Sequence, residues 1–240
     1  MGKKSNQPVK ERRAKIEEMR RQQAAAERRK TAIFIGGSIV LGLGLIGAAV
    51  APAVIKNIND PAKKPLSSFG VSAANASCDA ITDDPAKGGG QHVGPGTQSP
   101  NELIVKYDTV PPSSGKHYQD PMELDRKFYQ AKDRPKMERL VHNLEHGYTV
   151  VWYDDTVTGD QLKDLENVAT KVGGDPKTRK FIASAWDPAY GAFPSGKHIG
   201  ISHWAAKQGH RQMCGKVSGA AIGDFVTKYP QTDAPEPNAP

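Results

Sequence analysis

The chain has 240 residues, 37% of them hydrophobic and 25% charged, with a formal net charge of +7, which suits one packed domain with extensions. Residues 1–30 carry 11 Lys/Arg against 4 Asp/Glu, leaving 22 residues of each sign in the remainder. All the positive excess is on one arm, and the neutral remainder has no electrostatic claim on DNA or RNA, so no nucleic acid is expected as a partner.

In chain order, residues 1–30 form a basic arm. The run from Lys10 to Arg21 favours a helix but has few apolar anchors. Thr31 to Ile55 is uncharged and mostly Ile, Leu, Val, Ala and Gly. About 20 apolar residues cross a bilayer core, so 31–55 reads as a transmembrane helix. The positive-inside rule then puts the arm in the cytoplasm and the rest of the chain outside the cell membrane. A cleaved signal peptide is the alternative, but its apolar region should be shorter and its basic region briefer. Ser38 and Gly42, and Gly44 and Ala48, are small pairs that let a neighbouring helix approach, although glycine is common in membrane helices generally. Residues 56–77 read as a tether, 78–230 as a folded extracytoplasmic domain, and the proline-rich 231–240 as a disordered tail.

Cys78 and Cys214 are the only cysteines, and both follow the apolar run. Outside the cytoplasm such a pair is most economically a disulfide. Their separation leaves no Cys-x-x-Cys redox motif.

Within the domain, Asp83–Pro100 reads as an irregular Gly/Pro-rich loop, Leu103–Tyr107 as a short strand and Asp108–Gln119 as a further loop. Pro135–His146 suits a helix, with Pro in its first turn. Tyr148–Tyr153 suits a central strand, Gly159–Val172 a helix, and Arg179–Trp186 and His198–Trp204 strands. Val217–Tyr229 suits the last helix. The order β-α-β-α-β-β-α predicts a mixed α+β domain of thioredoxin-like topology with an antiparallel pair near its end, but without a redox motif.

The densest chemistry lies in Leu140-Val141-His142-Asn143-Leu144-Glu145-His146-Gly147. His142 and His146 are four apart and share a helix face, Glu145 flanks it, and Gly147 suits a helix stop. His92 and His117 precede this stretch on loops. Three readings compete. In the first, His117, His142, His146 and His92 hold copper or zinc, with the soft Met213 nearby. In the second, the His-x-x-Glu-His spacing of inverted zincin peptidases makes Glu145 the general base of a metal-dependent hydrolase; Gly147 ends the helix too soon for that pattern. In the third, the imidazoles only hydrogen-bond loop carbonyls. His198, His203 and His210 read as structural, and Trp152, Trp186 and Trp204 as core.

Gln91-His92-Val93, Tyr107, Pro111-Pro112-Ser113-Ser114-Gly115-Lys116-His117-Tyr118, Val141-His142-Asn143-Leu144-Glu145-His146-Gly147 and Trp152-Tyr153 resemble an actinobacterial membrane-protein family, the domain of unknown function 3105. Trp204, Cys214 and Pro235-Glu236 match its C-terminal end. The resemblance covers roughly Cys78 to Glu236 and implies location and fold more than activity. The expected function is a non-enzymatic, single-span envelope protein, an accessory or stabilising subunit touching other membrane-protein subunits, with respiratory complexes one class. An extracytoplasmic copper- or zinc-binding protein is the runner-up, and a hydrolase the third.

Overall fold

The computed structural model describes residues 7–240; in its first helix, the side chains at 7–9, 39–47, 49, 52–53 and 55–59 lie outside the described residues. The chain divides into two units, Met1–Asn59 and Asp60–Pro240.

The first unit is one helix, α1 (Gln7–Asn59), which carries the basic arm and the uncharged run without a break. Among the described residues, no helix is long and apolar enough to cross a membrane. The span expected at 31–55 therefore gains no support here, and its centre, 39–47, falls among the side chains outside the described residues.

The second unit contains β1 (Thr82–Pro85), β2 (His92–Val93), β3 (His117–Tyr118), β4 (Phe128–Tyr129), α2 (Met137–Glu145), β5 (Thr149–Tyr153), α3 (Gly159–Gly174), β6 (Phe181–Ala185), β7 (Ile199–Trp204), β8 (Gln208–Cys214) and α4 (Gly219–Lys228). Six strands form a mixed sheet in the order β1-β8-β7-β5-β6-β4, and β2 and β3 form a separate parallel pair. β5 runs parallel to β6 and antiparallel to β7. Side chains alternate across the sheet, as the period of two requires. Val151, Tyr153, Phe181, Ala183, Ile199 and Ile201 pack with α3 and α4 residues such as Leu165, Val168, Ile222 and Phe225. Val150, Trp152, Ile182 and Trp204 pack with Met137, Leu140, Val141 and Leu144 of α2. The sheet thus lies between α3 and α4 on one side and α2 on the other.

The mixed α/β class is the one the sequence pattern indicates, but several elements differ. Leu103–Tyr107 forms no strand: Leu103 and Ile104 are exposed and only Val105 is buried, its amide donating to the Glu138 carboxylate at 2.9 Å. The segments 181–185 and 199–204 do not pair with each other. Each flanks β5, and the antiparallel pair near the end is β7 with β8. Strand β1 falls in the expected loop, where Thr82–Pro85 pairs with β8 and Asp84 meets the Arg211 guanidinium at 2.6 Å. The folded unit begins at Asp60 rather than 78, since Phe69 and Ala76 are buried. The tail is also packed: Ala234 is buried and Asp233 Oδ1 lies 2.7 Å from His203 Nε2. Cys78 and Cys214 form the expected disulfide, tying the start of the domain to β8.

Candidate metal centre

Helix α2 sets two residue classes on two sides. Met137, Leu140, Val141 and Leu144 recur at helical spacing and cover the sheet. His142, Glu145 and His146, three and four apart, share another face. That face is buried too: His142 and His146 are each 5% exposed and Glu145 is 1% exposed. The helix stops where expected, at Gly147 with φ +92°; a Cβ there would lie 2.3 Å from the Gln231 carbonyl oxygen.

The facing wall is the β2–β3 pair, whose register sets His92 directly opposite His117. The neighbouring loops fit closely. Gly115 has φ +150°, and a Cβ there would lie 2.7 Å from the Tyr107 ring. The ring centroids of His92, His117 and His142 lie 4.7–5.1 Å apart. One ligand atom from each of His92, His117, His142 and Glu145 lies within 4.8 Å of the other three.

The hydrogen bonds around these rings decide what the convergence means. His117 Nδ1 donates to the Gly115 carbonyl at 2.8 Å, and His142 Nδ1 donates to the Tyr118 carbonyl at 2.6 Å. His146 Nδ1 does the same to the Pro240 oxygen at 2.9 Å. These oxygens accept only, so each of these Nδ1 atoms carries a proton and each ring turns its Nε2 inward. The inward Nε2 atoms meet one another and the Glu145 carboxylate. His117 Nε2 is 2.9 Å from Glu145 Oε2, yet the two are not aligned as a hydrogen bond, and both are buried without a partner, as is His92 Nε2. His142 Nε2 and His146 Nε2 face each other at 2.9 Å. Burial lowers the His142 pKa to about 4, with the His117, His146 and His92 rings adding to the shift against the hydrogen bond to Tyr118, so the ring is neutral at ordinary pH. Burial also pushes the Glu145 carboxyl up, but the His117 ring, the Gly90 amide and His142 outweigh it, and its pKa ends below the ordinary value. Its Oε1 accepts from the Gly90 amide at 2.6 Å.

Buried polar atoms without partners, such as His92 Nε2, His117 Nε2 and Glu145 Oε2, are costly unless a cation lies among them. Three imidazoles and one carboxylate make a donor set for zinc, copper or another first-row ion. The carbonyls behind His117 and His142 are the outer support such ligands have.

Of the expected ligands, His92, His117 and His142 come together, while His146 stands beside His142 outside the set of four. Glu145 is inside that set. Ser114 accepts from the Lys87 amide at 3.1 Å, and Gly115 and Tyr118 serve through their carbonyls, so this motif orients the imidazoles. Met213 instead packs against Gly200, where a Cβ would lie 3.3 Å from its sulfur. The histidines read as structural sit beside carboxylates: His198 is 2.9 Å from Asp154, and His203 and His210 are each 2.7 Å from Asp233 and Asp83. Trp152, Trp186 and Trp204 are core as expected, and the Trp204 ring stands edge-on to His117 at 6.0 Å.

Two contributors escape sequence reasoning. The Gly90 amide holds Glu145, and the only signal for it is the run Gly88-Gly89-Gly90 just before His92. The tail reaches His146 and Glu145, with the Glu236 amide donating to the Glu145 carbonyl at 3.0 Å, and nothing in its proline-rich composition marks this.

No curated protein and no solved structure matches the chain. The family described as "Protein of unknown function (DUF3105)" matches residues 99–240, a stretch that includes His117, His142, Glu145 and the tail but not His92. The chain belongs to that family.

Proposed function

We propose that this protein binds one first-row transition-metal ion, zinc or copper, through His92, His117, His142 and Glu145. The observation that carries the reading is the convergence of the His92, His117 and His142 rings with the Glu145 carboxylate, where His92 Nε2, His117 Nε2 and Glu145 Oε2 are buried without a hydrogen-bond partner and the His117 and His142 rings are held from behind by carbonyls. A hydrolase is less well supported. Glu145 sits among the ligands with one oxygen on the Gly90 amide and the other at His117, so it is not free to serve as the base. The test is metal analysis of the full chain after loading with Zn(II) or Cu(II) and washing with a weak chelator. Wild type should retain one ion per chain and His142→Ala none. Equal retention by both would refute the assignment.

The same reading places the domain outside the cytoplasm, on the cell membrane. The Cys78–Cys214 disulfide supports this, since such bonds persist in oxidising compartments. Thr31–Ile55, uncharged and preceded by a basic arm, supports a membrane anchor with a cytoplasmic N-terminus. Ile33, Phe34 and Ile35 are 73%, 79% and 57% exposed, a run of large apolar side chains that calls for lipid or another membrane-protein subunit as cover. The accessory role in a membrane assembly rests on these features. Protease added to intact spheroplasts should digest the domain and spare the arm, and digestion of the arm alone would reverse the topology.

A further inference from the structure

His146 is the one imidazole of this corner outside the set of four, and Glu236 is the carboxylate beside it. His146 Nε2 lies 2.9 Å from His142 Nε2 on one side and 3.5 Å from Glu236 Oε2 on the other. Its Nδ1 donates to the Pro240 oxygen, so Nε2 is the ring nitrogen set between a buried ligand and a rim carboxylate. The two differ in access: the His146 side chain is 7% exposed and that of Glu236 is 51% exposed. The placement of Glu236 is built rather than incidental. Its amide donates to the Glu145 carbonyl, and the buried Lys180 ammonium donates to the carbonyls of His146, Pro237 and Ala239 at 2.8, 3.0 and 2.6 Å. Lys180 therefore fastens the tail and the end of α2 to each other.

We infer that His146 and Glu236 form a second, weaker metal position at the rim, through which a divalent transition-metal ion passes to and from the buried centre. The inference rests on the buried centre being a metal site. Two donors alone bind loosely, which suits a transient stop. In the inward step an ion held by Glu236 and His146 gains a bond to His142 Nε2 as its bond to Glu236 breaks. Inside, the His146 bond breaks as Glu145, His117 and His92 bind. The ion keeps its oxidation state, and one carboxylate stays bound at each end of the transfer. Passage by ligand exchange avoids releasing a bare ion into a closed interior and fits a protein that hands metal on.

The test uses the full chain and Zn(II) alone, with a chromophoric chelator as competitor. Stopped-flow mixing gives the rates of loading and release, and equilibrium competition gives the affinity. Glu236→Gln and His146→Ala should each slow both rates by about tenfold while the affinity changes by less than about threefold, against the 10–100-fold typical when a ligand's supporting contact is lost. Glu236 is a rim residue, so its variant tests the route even where His146→Ala disturbs the fold. Unchanged rates in Glu236→Gln would overturn the route and leave the buried site standing. An affinity loss of about 100-fold in His146→Ala would instead make that residue a ligand of the buried centre. A wild type that binds no Zn(II) would remove both readings together.

Discussion

Glu145→Gln separates a metal centre from a purely structural network, because the two readings give its effect on the metal-free protein opposite signs. The glutamine side chain keeps an oxygen for the Gly90 amide, now 2.6 Å from Glu145 Oε1. It replaces Oε2 with an NH2 donor 2.9 Å from His117 Nε2. Where two buried atoms stood close without an aligned hydrogen bond, a small rotation of the new amide lets a donor meet the ring nitrogen. One such hydrogen bond contributes about 1 kcal/mol, and relief of the unpaired acceptors adds to it. In a domain of this size each kcal/mol moves the midpoint by about 2–4 °C, so metal-free Glu145→Gln should melt at least about 2 °C above wild type. Its zinc affinity should meanwhile fall by about 100-fold, since the sole anionic ligand is gone. If His117 were instead a protonated partner of Glu145, the change would break a buried ion pair and cost about 3–5 kcal/mol, lowering the midpoint by roughly 10 °C. The assay is calorimetry of the full chain in excess EDTA, followed by zinc competition. A lower midpoint with unchanged zinc affinity would refute the reasoning.

Other predictions bear on the frame of the site. Gly147→Ala should destabilise the domain by about 2 kcal/mol or more by chemical denaturation, because the residue has φ +92° and a Cβ would meet the Gln231 carbonyl; a cost below half that would contradict the geometry. Lys180→Met should leave the carbonyls of His146, Pro237 and Ala239 without their donor, and limited proteolysis should then cut within 231–240 where wild type resists. With His142 near 4 in the folded state and 6.5 as its ordinary value, the unfolded chain binds more protons between those limits. The contribution of this ring is therefore full above 6.5 and lost as pH falls towards 4, by about 3 kcal/mol in all. Urea titrations of metal-free wild type and His142→Ala should show the slope in the first and its loss in the second.

What the sequence reveals of this molecule divides along physical lines. The end of α2 is legible because helical spacing, Gly147 and the apolar run behind it agree. β5 is legible because Val150, Val151 and Trp152 are buried on both faces of an interior strand. β8 is not, because Gln208, Gly209, His210, Arg211 and Gln212 lack strand propensity, and the segment is held by pairing with β7 and by the Arg211–Asp84 ion pair. Leu103–Tyr107 misleads for the converse reason: strand-forming residues there find no partner strand, and Leu103 and Ile104 stay in solvent. At the site, the His142 and Glu145 spacing marks one wall. The opposite wall depends on a two-residue ladder between His92 and His117, a long-range pairing that no local pattern encodes. The proline-rich composition of the tail suggests disorder, and its order comes from Lys180, a buried ammonium far away in the chain.

The most direct test of the central claim is X-ray absorption spectroscopy of the zinc-loaded full chain. The account predicts one ion with three imidazole nitrogens and one carboxylate oxygen at about 2.0–2.2 Å. It also predicts that the oxygen scatterer is replaced or lost in Glu145→Gln. A sulfur ligand, a shell dominated by water oxygens, or a spectrum unchanged by Glu145→Gln would contradict it.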